Sequence, residues 1–458
     1  MSTKQARIPI PFCKEPAYQL SYDNGFTLYF VPKRGEVFNI NTWVKTGSIH
    51  EDDQNNGVSH FLEHLMFKGT ERFKPGEFDR AMESMGAVIN AATWKDFTFY
   101  YITGPKDSAG NNFATALDMH ADMLLHSTIP DGEVGPVYNP DDPNYSGAKR
   151  ERSVVIEEIG MRNDQPWTKI YNAVNLMMYP DAHPYRRDVI GTRQIIGTIP
   201  REDIIRYYRT WYSPKNMTTI VVGDFDLETL EAQVLKCFNF DDVKRHGVSE
   251  GSLLEKAPAI PAPNGNRYQT LTGEYATQFL ISGFHGPSPN DLEETIALDV
   301  VSYVLGEGRS SRLTQELLEK PEKPIFNALS TGQSVYKLGN VFYIQGNFSD
   351  ISPEEAQKLV WQEVEKLCGP SPITQDEFSR AVKAMKVDFA ETSETASSIA
   401  ESLGESVVTV GDISHYAHYL EALTHVTLEK VNEVARKYLR SERAYTAVMI
   451  PEESVSDN

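Results

Sequence analysis

Two short stretches, TTIVVGDFD at 218–226 and YTAVMIPEE at 445–453, close two runs of sequence that carry the same order of patterns. In the first run, GFTLYFVPK (25–33) and VFNINTWVKTG (37–47) alternate and are rich in β-formers, which predicts paired strands. Helical patterns follow at 57–68 and 76–86, and two further strands lie within GAVINAATWKDFTFYYITG (86–104). Helices at 111–127, 148–162 and 200–211 lead to a strand at 217–225. The second run gives a strand at 275–286, a helix at 291–306, a strand at 340–348, a helix at 352–367 and a closing strand at 444–452. A repeated element order predicts an α+β protein of two tandem, structurally similar units of roughly 220 residues, each a mostly antiparallel β-sheet packed with helices. Between them, DDVKRHGVSEGS and KAPAIPAPNGNR dissolve into charge, Pro, Gly and Asn. The expected division is therefore a first domain at 1–240, a linker at 241–268 and a second domain at 269–458.

Composition narrows the partners. Hydrophobic residues make up 40% of the 458 positions, enough for a sizeable core. The net charge of −20 argues against nucleic acid. No run of about 18 apolar residues occurs, and the opening MSTKQARIPIPF has no apolar signal core. The expectation is no membrane association and a cytoplasmic location, or a periplasmic one if a leader has been cleaved. Cys13, Cys237 and Cys368 are odd in number and far apart, so they read as free thiols, with no disulfide framework and no CxxC metal site. The stretch 129–147, dense in Pro, Gly, Asp and Asn, reads as an excursion loop.

The chemistry begins at GVSHFLEHLMF (57–67). On a helical wheel, His64 lies about 40° from His60, and Glu63 about 60° to the other side. Val58, Phe61, Leu62, Leu65 and Met66 cover the rest of the circumference, so this helix is destined for burial with its polar groups on one narrow face. Imidazoles at i and i+4 stand side by side, the arrangement that chelates one cation, and buried polar groups need such a partner. The alternative is a hydrogen-bonded histidine pair on a surface. The HxxEH order is the inverted form of the zinc-peptidase helix motif. Such a site takes a third protein ligand and leaves a position open.

That third ligand is sought in KRERSVVIEEIGMR (149–162). With Glu151 as origin, Glu158 falls within about 20° of it, and Val154, Val155, Ile159 and Met161 flank the two carboxylates. Two carboxylates in an apolar stripe suit one metal ligand and one group supporting the site from behind. The wheel does not say which is which, and an ion pair between Glu151 and an arginine competes with this reading.

HFLEH, GAVINAATWKDFTFYY, ERSVVIEEI and HPYRRDVIGT (183–192) together resemble the pitrilysin-like (M16) zinc peptidases, above all the two-domain bacterial processing-type enzymes and mitochondrial processing peptidase. The similarity runs through both halves and is strongest over 25–225. The resemblance implies one Zn2+ per chain held by His60, His64 and Glu158. It implies Glu63 as the base that activates water, and Glu151 as a helper carboxylate. Asn90 and Ala91 then lie on an edge strand where a peptide substrate adds as a β-strand. The first domain would be the zinc-bearing one, and paired halves would enclose a chamber admitting peptides and unfolded segments.

Two departures stand out. The gap from His64 to Glu158, 93 residues, is longer than the family's usual one, and the excess falls in the 129–147 loop. More sharply, catalytic members supply an Arg and a Tyr, seven apart, from the second half to hold substrate. In SSRLTQELLEKPEKPIFNALS (310–330), Leu318 stands at the Arg position and Ile325 or Phe326 at the Tyr position, and Arg312 is no obvious substitute. The resemblance therefore implies a zinc-bearing metalloendopeptidase subunit that forms a heterodimer with a homologous M16 subunit carrying the Arg/Tyr pair. The rivals are a scaffold subunit with a vestigial site and a module that binds peptides without cutting them. His120 and His126, His415 and His418, and the EKPEKP run (319–324) read as structural or solvated positions.

Overall fold

The computed structural model describes residues 3–137, 150–243, 245 and 267–452. Most of the expected linker, residues 138–147 of the expected excursion loop and the first two residues of the helix expected at 148–162 lie outside the described residues. The first sheet contains β1 (Thr3–Ile8), β2 (Ala17–Tyr22), β3 (Thr27–Pro32), β4 (Val37–Val44), β5 (Val88–Thr93), β6 (Thr98–Pro105) and β7 (Met217–Gly223). Their order across the sheet is β1-β2-β3-β7-β4-β6-β5. The second sheet contains β8 (Tyr268–Gly273), β9 (Gln278–His285), β10 (Phe326–Tyr336), β11 (Gly339–Phe348) and β12 (Tyr445–Pro451), in the order β10-β11-β9-β12-β8.

The repeat is visible in the pairing. β7 inserts parallel to β3 and antiparallel to β4, and β12 inserts parallel to β8 and antiparallel to β9. The remaining strand pairs are all antiparallel; β1–β2, β2–β3, β5–β6 and β10–β11 join consecutive strands, whereas β4–β6 and β9–β11 each skip one strand. The series β3-β7-β4-β6-β5 and β8-β12-β9-β11-β10 thus match position for position. The fold is α+β, with two sheets each packed with helices.

Contacts divide the chain into two compact units that interleave along the sequence. One comprises Met1–Gly160, Arg187–Ala257 and Ala390–Ala417; the other comprises Met161–Arg186, Pro258–Phe389 and His418–Asn458. Each unit therefore takes a helix from the opposite half of the sequence. In the first unit, helix Ala396–Val410 packs on β4 and β7. Seven of the eight residues of β4 are buried, because both faces of this strand are covered. The approach is close: a Cβ on Gly404 would fall 1.9 Å from Cε2 of Trp43. In the second unit, helix Pro166–Met178 packs on β9 and β12, and a Cβ on Gly283 would fall 2.8 Å from Sδ of Met178. Neither exchanged helix follows from the linear order of patterns.

The other face of the first sheet carries the main core of that unit. Phe38, Ile40, Tyr100 and Ile102 from the sheet meet Phe61, Leu62, Leu65 and Met66 from helix α1 (Val58–Met66). All eight are fully buried, as the all-round apolar wheel of 57–67 requires. His120 is buried in the same unit, with Nε2 2.9 Å from Oγ1 of Thr42, and burial pushes its imidazole down to about 3. The cysteines are free thiols.

Candidate metal centre

Helix α1 starts abruptly. Its N-cap is Gly57 at φ +95°, a left-handed conformation open to glycine, and a Cβ there would strike the Ile190 carbonyl at 2.6 Å. Glycine has no side chain to cap the helix, and the buried carboxylate of Glu51 does so instead. Oε2 of Glu51 accepts the Gly57 N–H at 2.7 Å and the Asn56 carboxamide at 2.8 Å, and Oε1 accepts the Ser59 N–H at 2.8 Å. The same carboxamide reaches the Asp188 carbonyl at 2.8 Å. Burial pushes the Glu51 carboxyl up, while the donors from Ser59, Gly57 and Asn56 favour the anion. A negative charge at a helix N-terminus also complements the helix dipole. Further in, Oγ of Ser59 meets the Tyr207 hydroxyl at 2.7 Å, and that hydroxyl meets Oγ1 of Thr46 at 2.6 Å. The first turn of α1 is thereby held from three directions, which fixes His60 within that turn and Glu63 in the next.

The third element is helix Glu151–Asn163. Its buried residues are Arg152, Val155, Ile156 and Ile159, whereas Val154 and Met161 are exposed at 41% and 70%. The apolar stripe read from the wheel is thus rotated, and Glu151 and Glu158 sit at the margin of the buried face. Arg152 is the reason. Its guanidinium donates to the carbonyls of Ile196, Ile199 (2.9 Å) and Gly135 (3.3 Å), so a charged residue is drawn inside by three backbone acceptors.

His60, His64 and Glu158 converge, each offering one ligand atom, and those atoms lie within 4.8 Å of one another. Oε2 of Glu158 is 3.7 Å from Nε2 of His60 and 3.6 Å from Nε2 of His64. Ligands at zinc–nitrogen and zinc–oxygen bond lengths stand about 3.4 Å apart around a tetrahedral ion. Two imidazoles and a carboxylate are a donor set suited to zinc, so the residues fit the ion. Among the described residues no other such cluster of three occurs.

Glu151 stands behind His64, with Oε2 3.3 Å from Nδ1 and Oε1 2.8 Å from Nζ of Lys68. An Nδ1–H donating to Glu151 reserves Nε2 of His64, on the side of Glu158 and His60, for the ion that would displace its proton. Burial raises the Glu151 carboxyl, but hydrogen bonds from His64 and Lys68 prevail and hold it below its ordinary value. The pairing arginine considered from sequence is absent from this contact; a lysine takes that place. His64 itself is lowered by burial but raised more strongly by Glu151 and Glu158, to about 9. The pocket is thus a strong attractor of positive charge.

Glu63 lies beside this cluster. Burial pushes its carboxyl up and Glu158 adds to that, while Thr93 and His64 oppose it. Oγ1 of Thr93 donates to Oε2 of Glu63 at 2.5 Å. Asn90 and Ala91 lie on β5, the terminal strand of the first sheet, opposite Tyr101 and Tyr100 of β6. In the second unit, Leu318 and Ile325 pack against the core and Phe326 is buried within it. Arg312 is held bidentate by Glu377 at 2.7 and 2.8 Å and donates to the Ser371 and Pro372 carbonyls.

Sequence reasoning missed Glu51, Lys68 and Thr93. Lys68 was within reach, since it follows His64 by four positions in the helix expected at 57–68, although the structure places it in the turn just after α1. Glu51 gave no signal: it lies six residues before the cap residue, outside any local capping spacing.

Family models match two parts of the chain: Insulinase (Peptidase family M16) over residues 33–138, and Peptidase M16 inactive domain over residues 198–385. An uncharacterized zinc protease of Mycobacterium bovis is 30% identical over 425 residues, covering 90% of this chain and 88% of the relative. The chain belongs to the pitrilysin-like M16 peptidase family. The zinc protease PqqE of Helicobacter pylori is a further relative, 27% identical over 443 residues, with 93% of this chain and 91% of the relative covered. Among solved structures, a protease from Helicobacter pylori matches with a TM-score of 0.82 at 26% identity, over 95% of this chain and 99% of that one. A structure described as a peptidase M16 inactive domain, from Pseudomonas fluorescens, matches with a TM-score of 0.81 over 95% of this chain and 98% of that one. At 17% identity it attests the M16 fold alone. Among the described residues no helix is long and apolar enough to cross a membrane.

Proposed function

We propose that this M16 chain is a zinc-dependent endopeptidase acting on peptides and unfolded polypeptide segments. The observation that carries the reading is the meeting of His60, His64 and Glu158 within 4.8 Å, with Glu63 on the same turn as His64. His60, His64 and Glu158 would hold the ion. Bound zinc supplies Lewis acidity toward a water molecule and toward the scissile carbonyl. Glu63 takes the proton of the attacking water on its carboxylate and delivers it to the leaving amine. Glu151 holds the His64 ring through Nδ1, and β5 offers its edge to the substrate main chain.

Apolar residues stand at 318, 325 and 326, the positions where the M16 resemblance implies a substrate-holding Arg/Tyr pair. Arg312 is committed to Glu377 and two carbonyls and does not replace it. The chain accordingly acts with a homologous subunit that carries the pair, and alone it is slow. These same apolar residues are what a non-catalytic scaffold or peptide-binding subunit would show, so the two readings separate by assay. Metal analysis together with hydrolysis of a quenched fluorescent peptide, with and without such a subunit, is the test. Glu63→Gln is expected to retain zinc and lose at least about 100-fold in turnover. Unchanged turnover in that variant removes Glu63 from its role, and absence of stoichiometric zinc in the wild type removes the metallopeptidase reading.

A further inference from the structure

We propose that Thr93 is a positioning residue that locks the general base to the strand receiving the substrate, an inference that rests on the peptidase reading above. The hydrogen-bond phase of β5 is set at its hairpin, where the Trp94 N–H donates to the Phe97 carbonyl at 2.8 Å. In an antiparallel ladder, bonded and non-bonded pairs alternate. With 94/97 bonded, the pairs Thr93↔Thr98, Ala91↔Tyr100 and Ile89↔Ile102 are non-bonded. The main-chain N–H and C=O groups of Ile89, Ala91 and Thr93 therefore face the open edge of the sheet. One contact bears directly on this: the Ala91 N–H donates to Oδ1 of its neighbour Asn90 at 2.9 Å, so a side chain occupies an amide that no strand of this sheet claims.

Thr93 thus has two jobs. Its main chain belongs to the edge on which a substrate strand pairs, and its side chain donates to Oε2 of Glu63 at 2.5 Å. The direction of that bond is fixed by the ionised carboxylate, which can only accept. Oγ1 of Thr98 donates to the Thr46 carbonyl at 3.0 Å and stands on the donor side of a longer, 3.4 Å contact with Oγ1 of Thr93, so it draws no proton from Thr93. Among the described residues no hydrogen bond goes to the other oxygen, Oε1 of Glu63, which leaves that oxygen to meet the water. One residue consequently registers the base against the backbone of the bound peptide, so that pairing on β5 and the aim of Glu63 are set together.

The test uses the full-length, zinc-loaded chain and its Thr93→Val and Thr93→Ser variants. Valine keeps the shape and removes the hydroxyl, and serine restores the hydroxyl; Thr93→Ala serves if valine prevents folding. Crystal structures of wild type and Thr93→Val are compared at Glu63, and kcat and KM are measured on a quenched peptide with zinc content verified. In Thr93→Val the Glu63 carboxylate is expected to leave its place while His60, His64 and Glu158 stay. The kcat is expected to fall roughly tenfold to a hundredfold, the effect of one hydrogen bond to a charged group, with KM little changed and with recovery in Thr93→Ser. A Glu63 that keeps its position in Thr93→Val, or an undiminished kcat, overturns the proposal. If the wild type cleaves no peptide, the peptidase reading fails, and the position of Glu63 in the variant still decides the role of Thr93.

Discussion

Glu151→Gln isolates the support behind the proposed metal site, because it keeps the shape of the side chain and removes its charge. Glu151 makes two contacts that a neutral amide cannot both replace. One is His64 Nδ1 at 3.3 Å, and the other is Lys68 Nζ at 2.8 Å. Loss of the carboxylate weakens the hold on the His64 ring and leaves the Lys68 ammonium, in the turn just after α1, without its counter-charge beside the proposed dication site. Groups that orient a ligating imidazole are worth about 10- to 100-fold in metal affinity. With the lysine left uncompensated, the expected loss lies at the upper end, near 100-fold, or about 2.7 kcal/mol. The assay is zinc competition against a chromogenic chelator near neutral pH, with circular dichroism confirming the fold. Lys68→Met combined with Glu151→Gln should recover part of the loss, because it removes the stranded charge. If Glu151→Gln binds zinc within a factor of two of wild type, Glu151 neither orients His64 nor compensates the site, and the reasoning is refuted.

Glu51→Ala leaves the N–H groups of Gly57 and Ser59 and the Asn56 amide around a buried void, and should cost on the order of 4 kcal/mol in chemical denaturation. A loss below about 1 kcal/mol would mean that α1 does not depend on this cap. In the second unit, the buried carboxylate of Glu294 accepts from Lys430, Lys437 and Tyr438 and is held down to about 2, burial opposing and Lys437 leading the opposite pull. A carboxyl depressed in the folded state stabilises above its unfolded value, and that contribution disappears as pH falls from about 4.5 through 2. Wild type should therefore lose about 2 kcal/mol more than Glu294→Gln between neutral pH and pH about 2, after discounting for the half-exposed Lys437. Urea midpoints at the two pH values check it, and parallel losses in both proteins would contradict it.

The sequence by itself determined the two local devices of this protein. The all-round apolar wheel of 57–67 fixed α1 as a buried helix, and the i, i+4 spacing fixed His60 and His64 on one face. The matching strand at the end of each half announced the repeat, which the pairing of β7 and β12 bears out strand by strand. These features are legible because a helix or strand converts short sequence spacing directly into direction. The rest was decided by tertiary structure. Glu51 capping α1, Thr93 on Glu63 and Lys68 on Glu151 are meetings through space, and spacing along the chain says little about them. The rotation of the 151–163 helix followed from carbonyls at 135, 196 and 199 that welcome the Arg152 guanidinium. The exchange of helices Pro166–Met178 and Ala396–Val410 between units followed from which sheet face remained to be covered. A sheet needs some apolar surface over each face, and its own sequence does not say which distant helix will supply it.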